Sequence, residues 1–165
     1  MGAIYVPQQA IDLASRPQFD GLHDPNPRTA LIEPYHDPVG FPTIGYGHLL
    51  SRVKWEPLDK YSAITKEEAL TLLEKDLGRA ARSVCGLIKV PLNDNQYAAL
   101  IDFTFNCGGG NLEVSTLRRV INRGEFHKAP SEFMRWVYAQ GVLMKGLVYR
   151  RKAESELWIE TWRRK

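Results

Sequence analysis

The spacing of apolar residues changes character twice along this chain. Between Pro7 and Arg16, Ala10, Ile11, Leu13 and Ala14 cluster at helical intervals, which predicts a short helix stopped by Pro17. From Asp20 to Leu50 that spacing disappears. Pro25, Pro27, Pro34, Pro38 and Pro42 rule out helix, while Leu31 and Ile32, and then Thr43, Ile44, Gly45 and Tyr46, read as short strands. Asp37, Pro38, Val39 and Gly40 between them carry the chemistry of a tight turn. Residues 51–62 read as a surface connection.

Beyond it the pattern is helical to the end. Thr65 and Glu68 form a capping box ahead of Leu70, Leu73, Leu77, Ala80 and Val84, and Asn93 and Asp94 cap a helix carrying Tyr97, Leu100, Ile101 and Phe105 that Gly108, Gly109 and Gly110 end. Ser115 opens a short helix closed by Gly124; Phe133, Trp136 and Val137 mark another, and Leu147 to Trp162 a last one. No repeat or low-complexity tract is present. Strands followed by helices predict an α+β chain: one domain over 1–165, with a small antiparallel β lobe at about 20–50 and a larger helical lobe at about 63–165.

Composition narrows the picture without deciding it. With 165 residues, 44% of them apolar, the chain can bury one ordinary core. Lys and Arg exceed Asp and Glu by 22 to 19, a mild excess that suits an anionic partner, cell-wall polymer or nucleic acid, and chooses neither. The first residues lack a basic stretch followed by an apolar one, and no apolar run approaches a membrane span. A soluble product of cytoplasmic synthesis is therefore expected, without stable membrane insertion. Val6 stands where a myristoylation signal needs Ser or Thr. Cys85 and Cys107, far apart and without a metal-binding partner set, read as buried free thiols.

Candidate chemistry concentrates in the proline-rich segment, which gathers Asp20, His23, Asp24, Glu33, His36, Asp37, Thr43 and His48 on turns and short strands. Two carboxylates flanking a sugar can cleave a glycosidic bond, one protonating the leaving oxygen and the other activating water or stabilising charge; Asp20, Glu33 and Asp37 can supply such a pair. Glu33 is expected on one strand with Tyr35 and Asp37 at period two. His36 and His48 lack the spacing of a zinc site, Gly108 to Gly110 is followed by no Lys-Ser/Thr and is no phosphate loop, and no Gly-x-Ser-x-Gly elbow exists. No metal or cofactor is expected. Tyr46, Phe105, Trp136 and Trp158 read either as sugar-stacking or as core aromatics, and His48 as a fold-holding partner of Asp76 or Asp102.

Three blocks resemble the phage-type lysozymes, the endolysins of glycoside hydrolase family 24. The first is the run from Pro34 through Tyr35, His36, Asp37, Gly40, Thr43, Ile44, Gly45, Tyr46 and Gly47 to His48; the second runs from Asn95 to Gly108; the third joins Phe133 to Tyr138 and Gly146 to Glu154. The resemblance implies a lysozyme-like fold with a cleft between its lobes, and hydrolysis of the β-1,4 bond between N-acetylmuramic acid and N-acetylglucosamine in peptidoglycan.

It further implies catalytic roles for Asp37 and Thr43, and supporting or substrate-binding roles for Tyr35, Gly47, His48, Phe105 and Arg150, the last orienting a neighbouring carboxylate in preference to Arg151. Family members carry a catalytic Glu in a Glu-Gly pair. Counting back from Tyr35 by the family spacing reaches Arg28, whereas Phe19, Asp20, Gly21 and Leu22 match if His23 to Ile32 holds an insertion, which puts Asp20 in the acid's place with Glu33 as its rival. The implied biology is host-cell lysis by a monomer that is made in the host cytoplasm, depends on a holin for release, acts on the wall in the periplasm and binds no nucleic acid. The alternative is a lysozyme-fold peptidoglycan binder whose catalysis is impaired by the change at Asp20.

Overall fold

The structure, a computed structural model, describes residues 4–17 and 22–163. It is helix-rich with a small antiparallel sheet, an α+β fold, and the chain divides into two compact units, 20–76 and 1–19 with 77–165. The division falls within one helix.

In the unit 20–76, three strands pair antiparallel in the order β1 (Tyr35–His36), β2 (Pro42–Ile44), β3 (His48–Leu49). Tyr35 lies opposite Thr43, and Ile44 opposite His48. Two sequence expectations are corrected here. Leu31 and Ile32 form no strand of this sheet: Ile32 instead exchanges both backbone hydrogen bonds with Ile64 (2.7 and 2.9 Å), and Pro34, lacking an N–H, separates that bridge from β1. The strand at Thr43 ends at Ile44, because Gly45 turns the chain at φ +65°. Residues 51–62 are more than a connection. Trp55 donates its N–H to the Gly40 carbonyl and lays its indole where a Cβ on Gly40 would fall, 2.6 Å away, so only glycine fits that turn.

Helix α2 (Lys66–Leu87) starts as its sequence predicts: Thr65 Oγ1 accepts the Glu68 N–H and the Glu68 carboxylate accepts the Thr65 N–H. Its apolar stripe, Ala69, Leu73, Leu77, Ala80, Ala81 and Val84, is buried.

The second unit centres on α3 (Asp94–Cys107), capped by an Asn93/Gln96 box and buried without a break from Gln96 to Thr104. Helices α1 (Gln8–Ala14), α4 (Gly109–Val114) and α7 (Lys145–Arg163) pack on it, while α5 (Thr116–Asn122) and α6 (Ala129–Phe133) complete the layer. Phe103, Phe133 and Trp158 form an edge-to-face aromatic core. Here too the sequence expectation needs amending. Only Gly108, at φ +90°, ends α3; Gly109 and Gly110 begin α4. The helix expected through Trp136 and Val137 ends at Phe133, and β4 (Tyr138–Ala139) and β5 (Val142–Leu143) form a hairpin instead. Gln140 and Gly141, both at positive φ (51° and 76°), make the two-residue turn that joins them. Among the described residues, no helix is long and apolar enough to cross a membrane.

Replacing Thr65 with Ala removes the side-chain half of the α2 cap. Urea unfolding of Thr65→Ala should give a loss of about 1 kcal/mol with an unchanged m-value, the size expected of one N-cap; an unchanged midpoint would remove the cap from the account of this helix.

Candidate functional site

Asp37 sits at the head of the turn between β1 and β2, and its carboxylate organises that turn. Oδ1 accepts the backbone N–H groups of Val39 (2.9 Å), Gly40 (2.8 Å) and Phe41 (2.9 Å), while the Asp37 N–H donates to the Phe41 carbonyl (3.0 Å). Oδ2 takes no part in this cap. Two residues after Phe41, Thr43 is buried, and its hydroxyl donates to the same Phe41 carbonyl at 2.9 Å. A hydroxyl has one proton and two lone pairs, so Thr43 Oγ1 presents itself to any further partner as an acceptor. The structure thus brings Asp37 and Thr43 onto one hairpin, joined through one residue.

The other expected site residues fall as follows. Asp20 lies outside the described residues. Glu33 is half-buried and belongs to no strand, so the period-two alignment with Tyr35 and Asp37 does not exist; Pro34 breaks it. Among the described residues Glu33 has no hydrogen-bond or ion-pair partner. Tyr35 packs against the His23 ring at a tilt of 49°, centroids 4.1 Å apart. Gly47 is an exposed turn residue at φ +77°. His48 Nδ1 lies 2.8 Å from Asp76 Oδ2, so of the two proposed partners the structure selects Asp76, tying β3 to α2. Tyr46 is half-buried, and desolvation raises its phenol pKa above the ordinary value.

The remaining candidates belong to the helical unit. Arg150 on α7 clamps Asp102 on α3 through two hydrogen bonds, Nε to Oδ2 at 2.9 Å and Nη2 to Oδ1 at 2.7 Å; both side chains are buried, and the guanidinium lies 5.5 Å from the Phe105 ring centroid. The carboxylate that Arg150 orients here is therefore Asp102. One residue on, the fully buried Arg151 donates to Glu154 (2.7 Å) and to Cys107 Sγ (2.8 Å) and packs on Phe103.

Burial acts on both carboxyls and the outcome differs. Desolvation pushes Asp102 up, but the Arg150 charge and hydrogen bonds outweigh it and hold the group below the ordinary range. Glu154 goes the other way: its desolvation, reinforced by the Asp102 charge, overrides Arg151 and raises it well above 4.5. Burial likewise raises the Cys107 thiol. Neither cysteine is in a disulfide, but Cys85 is exposed rather than buried; it lies at the edge of the apolar stripe of α2, with its sulfur 3.2 Å from the Tyr97 hydroxyl. Trp158 is core, fully buried with its indole N–H on the Phe126 carbonyl, and Trp136 packs edge-on against Phe103. Sequence reasoning missed the role of Trp55 and the Asp102–Arg150 pair. The first left no periodic signal; the second had both members in view, Asp102 as one of two partners offered for His48 and Arg150 as the orienter of an unnamed carboxylate.

Comparison with known proteins gives one consistent result. The phage lysozyme family model matches residues 30–154. The chain is similar to the SAR-endolysin of Bacteriophage PS119, 40% identical over 127 residues, covering 77% of this chain and 73% of that protein. It is similar to the SAR-endolysin of Enterobacteria phage PA-2 at 40% over 126 residues, covering 76% and 73%. Among solved structures, an endolysin from Escherichia coli O157:H7 phage FAHEc1 superposes with a TM-score of 0.78 at 28% identity, covering 97% of this chain and 96% of that one.

The buried carboxyls predict a pH dependence of stability. Glu154 binds its proton more tightly folded than unfolded, so its contribution is complete below about 4.5 and is lost as pH rises through the raised folded value. Asp102 acts oppositely: its contribution is present above 3.8 and lost as pH falls. Urea midpoints measured from about pH 5 to 8 should therefore decline with pH for the wild type and flatten in Glu154→Gln, which keeps an acceptor for Arg151. An identical slope in the two proteins would show that Glu154 carries no excess proton.

Proposed function

The chain belongs to the phage lysozyme family, and from that membership we infer that it is a peptidoglycan-hydrolysing endolysin, a glycoside hydrolase whose reaction is centred on the β1–β2 hairpin. The observation that carries the site is the Asp37 carboxylate held through one oxygen by three backbone N–H groups, beside a Thr43 hydroxyl whose proton is committed to the Phe41 carbonyl. The substrate is peptidoglycan, and the bond broken is the β-1,4 link between N-acetylmuramic acid and N-acetylglucosamine.

In the mechanism proposed, an acid protonates the leaving glycosidic oxygen as positive charge builds on the sugar ring. Asp37, fixed by the turn, stabilises that charge or orients the water, and Thr43 accepts a hydrogen bond from the same water. Asp20 is the acid we assign, from its position in the Phe19 to Leu22 match; Glu33 is its rival. His48 serves the reaction by holding the sheet to α2, and Arg150 by fixing Asp102 on α3 while its guanidinium lies over Phe105. No metal or cofactor enters the scheme. We further propose that the protein acts as a monomer, made in the host cytoplasm and reaching the wall from the periplasm after a holin permeabilises the membrane; the endolysin names of its relatives support a lytic role.

Initial rates of clearing of outer-membrane-permeabilised Gram-negative cells, with circular dichroism to verify folding, test the assignment. Asp20→Asn and Asp37→Asn should each lose about a hundredfold or more, and Glu33→Gln should stay within about threefold. Full activity in Asp20→Asn with loss in Glu33→Gln would move the acid to Glu33. A folded wild type that sediments with sacculi and releases no muropeptide would overturn the hydrolase reading.

A further inference from the structure

The β4–β5 hairpin and the first turn of α7 expose large apolar side chains where the fold gains nothing from them. Tyr138 is 62% exposed, Val142 60%, Leu143 57%, Met144 44% and Tyr149 48%. They fall within twelve consecutive residues, and Tyr138 lies directly opposite Leu143, so these two share one face of the ribbon. Neither Tyr138 nor Tyr149 has a hydrogen-bond partner among the described residues.

A two-stranded ribbon this short is marginal by itself. It is nevertheless built with care: Gln140 and Gly141 adopt the positive φ values that a tight hairpin needs, and its base is fastened by the Met144 N–H on the carbonyl of Val137, which is buried. An apolar ribbon left in solvent, with its turn and base fixed by backbone geometry, is suited to act as a contact surface.

Charge indicates the occupant. From Phe133 to Ala153 the sequence holds no acidic residue, and Lys145 and Lys152 are exposed; Arg135, also exposed, is already paired with Glu132 at 3.1 Å. Lys145 places its ammonium 5.8 Å from the Tyr149 ring centroid, giving an aromatic plane with a cation beside it. Tyr149 also directly precedes Arg150, which lies over Phe105, so the strip is continuous in sequence with site residues of the same unit. An occupant that matches has pyranose faces and methyl groups for the aromatic and aliphatic side chains, and carboxylates for the lysines.

We propose that the β4–β5 hairpin with the start of α7 is a docking surface for the glycopeptide strand of peptidoglycan, binding carbohydrate and acyl groups on Tyr138, Leu143 and Tyr149 and peptide carboxylates at Lys145. This rests on the endolysin reading and adds to it a surface that sets affinity for the polymer. None of these residues belongs to the proposed reacting centre.

The test uses the full chain and two variants, Tyr138→Ser/Leu143→Ser and Lys145→Glu, checked for unchanged thermal midpoint. Solubilisation of purified sacculi should show KM raised about tenfold with kcat within about twofold, and cosedimentation with sacculi in the cold should weaken in parallel. Unchanged KM and cosedimentation in both variants would overturn the proposal. So would variants that lose binding to phosphatidylethanolamine/phosphatidylglycerol vesicles, or lose a dimer seen by light scattering, while still binding sacculi as the wild type does. If the wild type releases no muropeptide, the hydrolase reading fails, and cosedimentation still reads the docking surface independently.

Discussion

Helix α3 has no solvent face along nine consecutive residues, and that constraint shapes the helical unit. A helix buried all round must satisfy every polar side chain internally. Gln96 is consumed by the N-terminal capping box, and Thr104 turns its hydroxyl back to the Leu100 carbonyl. Asp102 has no such local solution. An ionised carboxylate buried without a partner costs several kcal/mol, so the helix that covers α3 must bring a cation to that point. Arg150 does so in the two-pronged geometry that matches a carboxylate, which fixes the register of α7 against α3. Removing either partner alone is expected to cost about 3–5 kcal/mol, since the other charge would stay buried. Once Arg150 is placed, Arg151 and Glu154 follow on the same helix, and the second pair closes on Cys107 at the end of α3.

The unit 20–76 solves its problem differently. Strands of two or three residues carry little ladder energy, so the hairpin is held by turn chemistry and by side chains laid over it. Trp55 covers Gly40, Ile64 pairs with Ile32, Asp76 holds His48, and Gly45 approaches Ala69 so closely that a Cβ would lie 3.1 Å from the alanine methyl. Such fixing positions a polar side chain through backbone hydrogen bonds whether it is buried, as Thr43 is, or left partly in solvent. Asp37 accordingly remains half-exposed while its orientation is set.

These two modes of construction explain what could be read in advance. Helices with apolar stripes and capping residues, α2 and α3 above all, were legible because local sequence and tertiary burial agree. The β4–β5 hairpin was not, because Phe133, Trp136 and Val137 keep an apolar spacing that suits a helix, and only the Gln140–Gly141 pair marks the turn. The strand at Leu31 and Ile32 failed for a related reason: apolar character located a buried residue, but Pro34 decided where pairing could continue. The motif singled out Asp37 and Thr43 as neighbours across a turn, and the structure joins them through Phe41; for His48 it offered two acidic partners, of which Asp76 is the one met. Pairings across long sequence separations, Asp102 with Arg150 or Gly40 with Trp55, have no local pattern at all. Periodicity announces which face is buried; it is silent on which acid meets which base.

The turn between β1 and β2 separates the demands of fold from those of chemistry. Its backbone requires a short side chain with an acceptor oxygen at position 37, able to reach the N–H groups of Val39, Gly40 and Phe41. Asn and Asp both meet that requirement, whereas Glu, one methylene longer, does not reproduce the ring that the cap closes. The cap therefore accounts for the length of the side chain and for one of its oxygens, and leaves the charge and the second oxygen unexplained. Thr43 shows the same surplus: donation to Phe41 uses its proton and leaves its lone pairs. Both excesses arise on either side of one residue, Phe41, whose N–H binds the carboxylate and whose carbonyl binds the hydroxyl. An acceptor carboxylate oxygen and an acceptor hydroxyl held in fixed relation are what a water molecule needs in order to be oriented, since it can donate a proton to each. In the mechanism proposed for this hairpin, that is the place given to the attacking water.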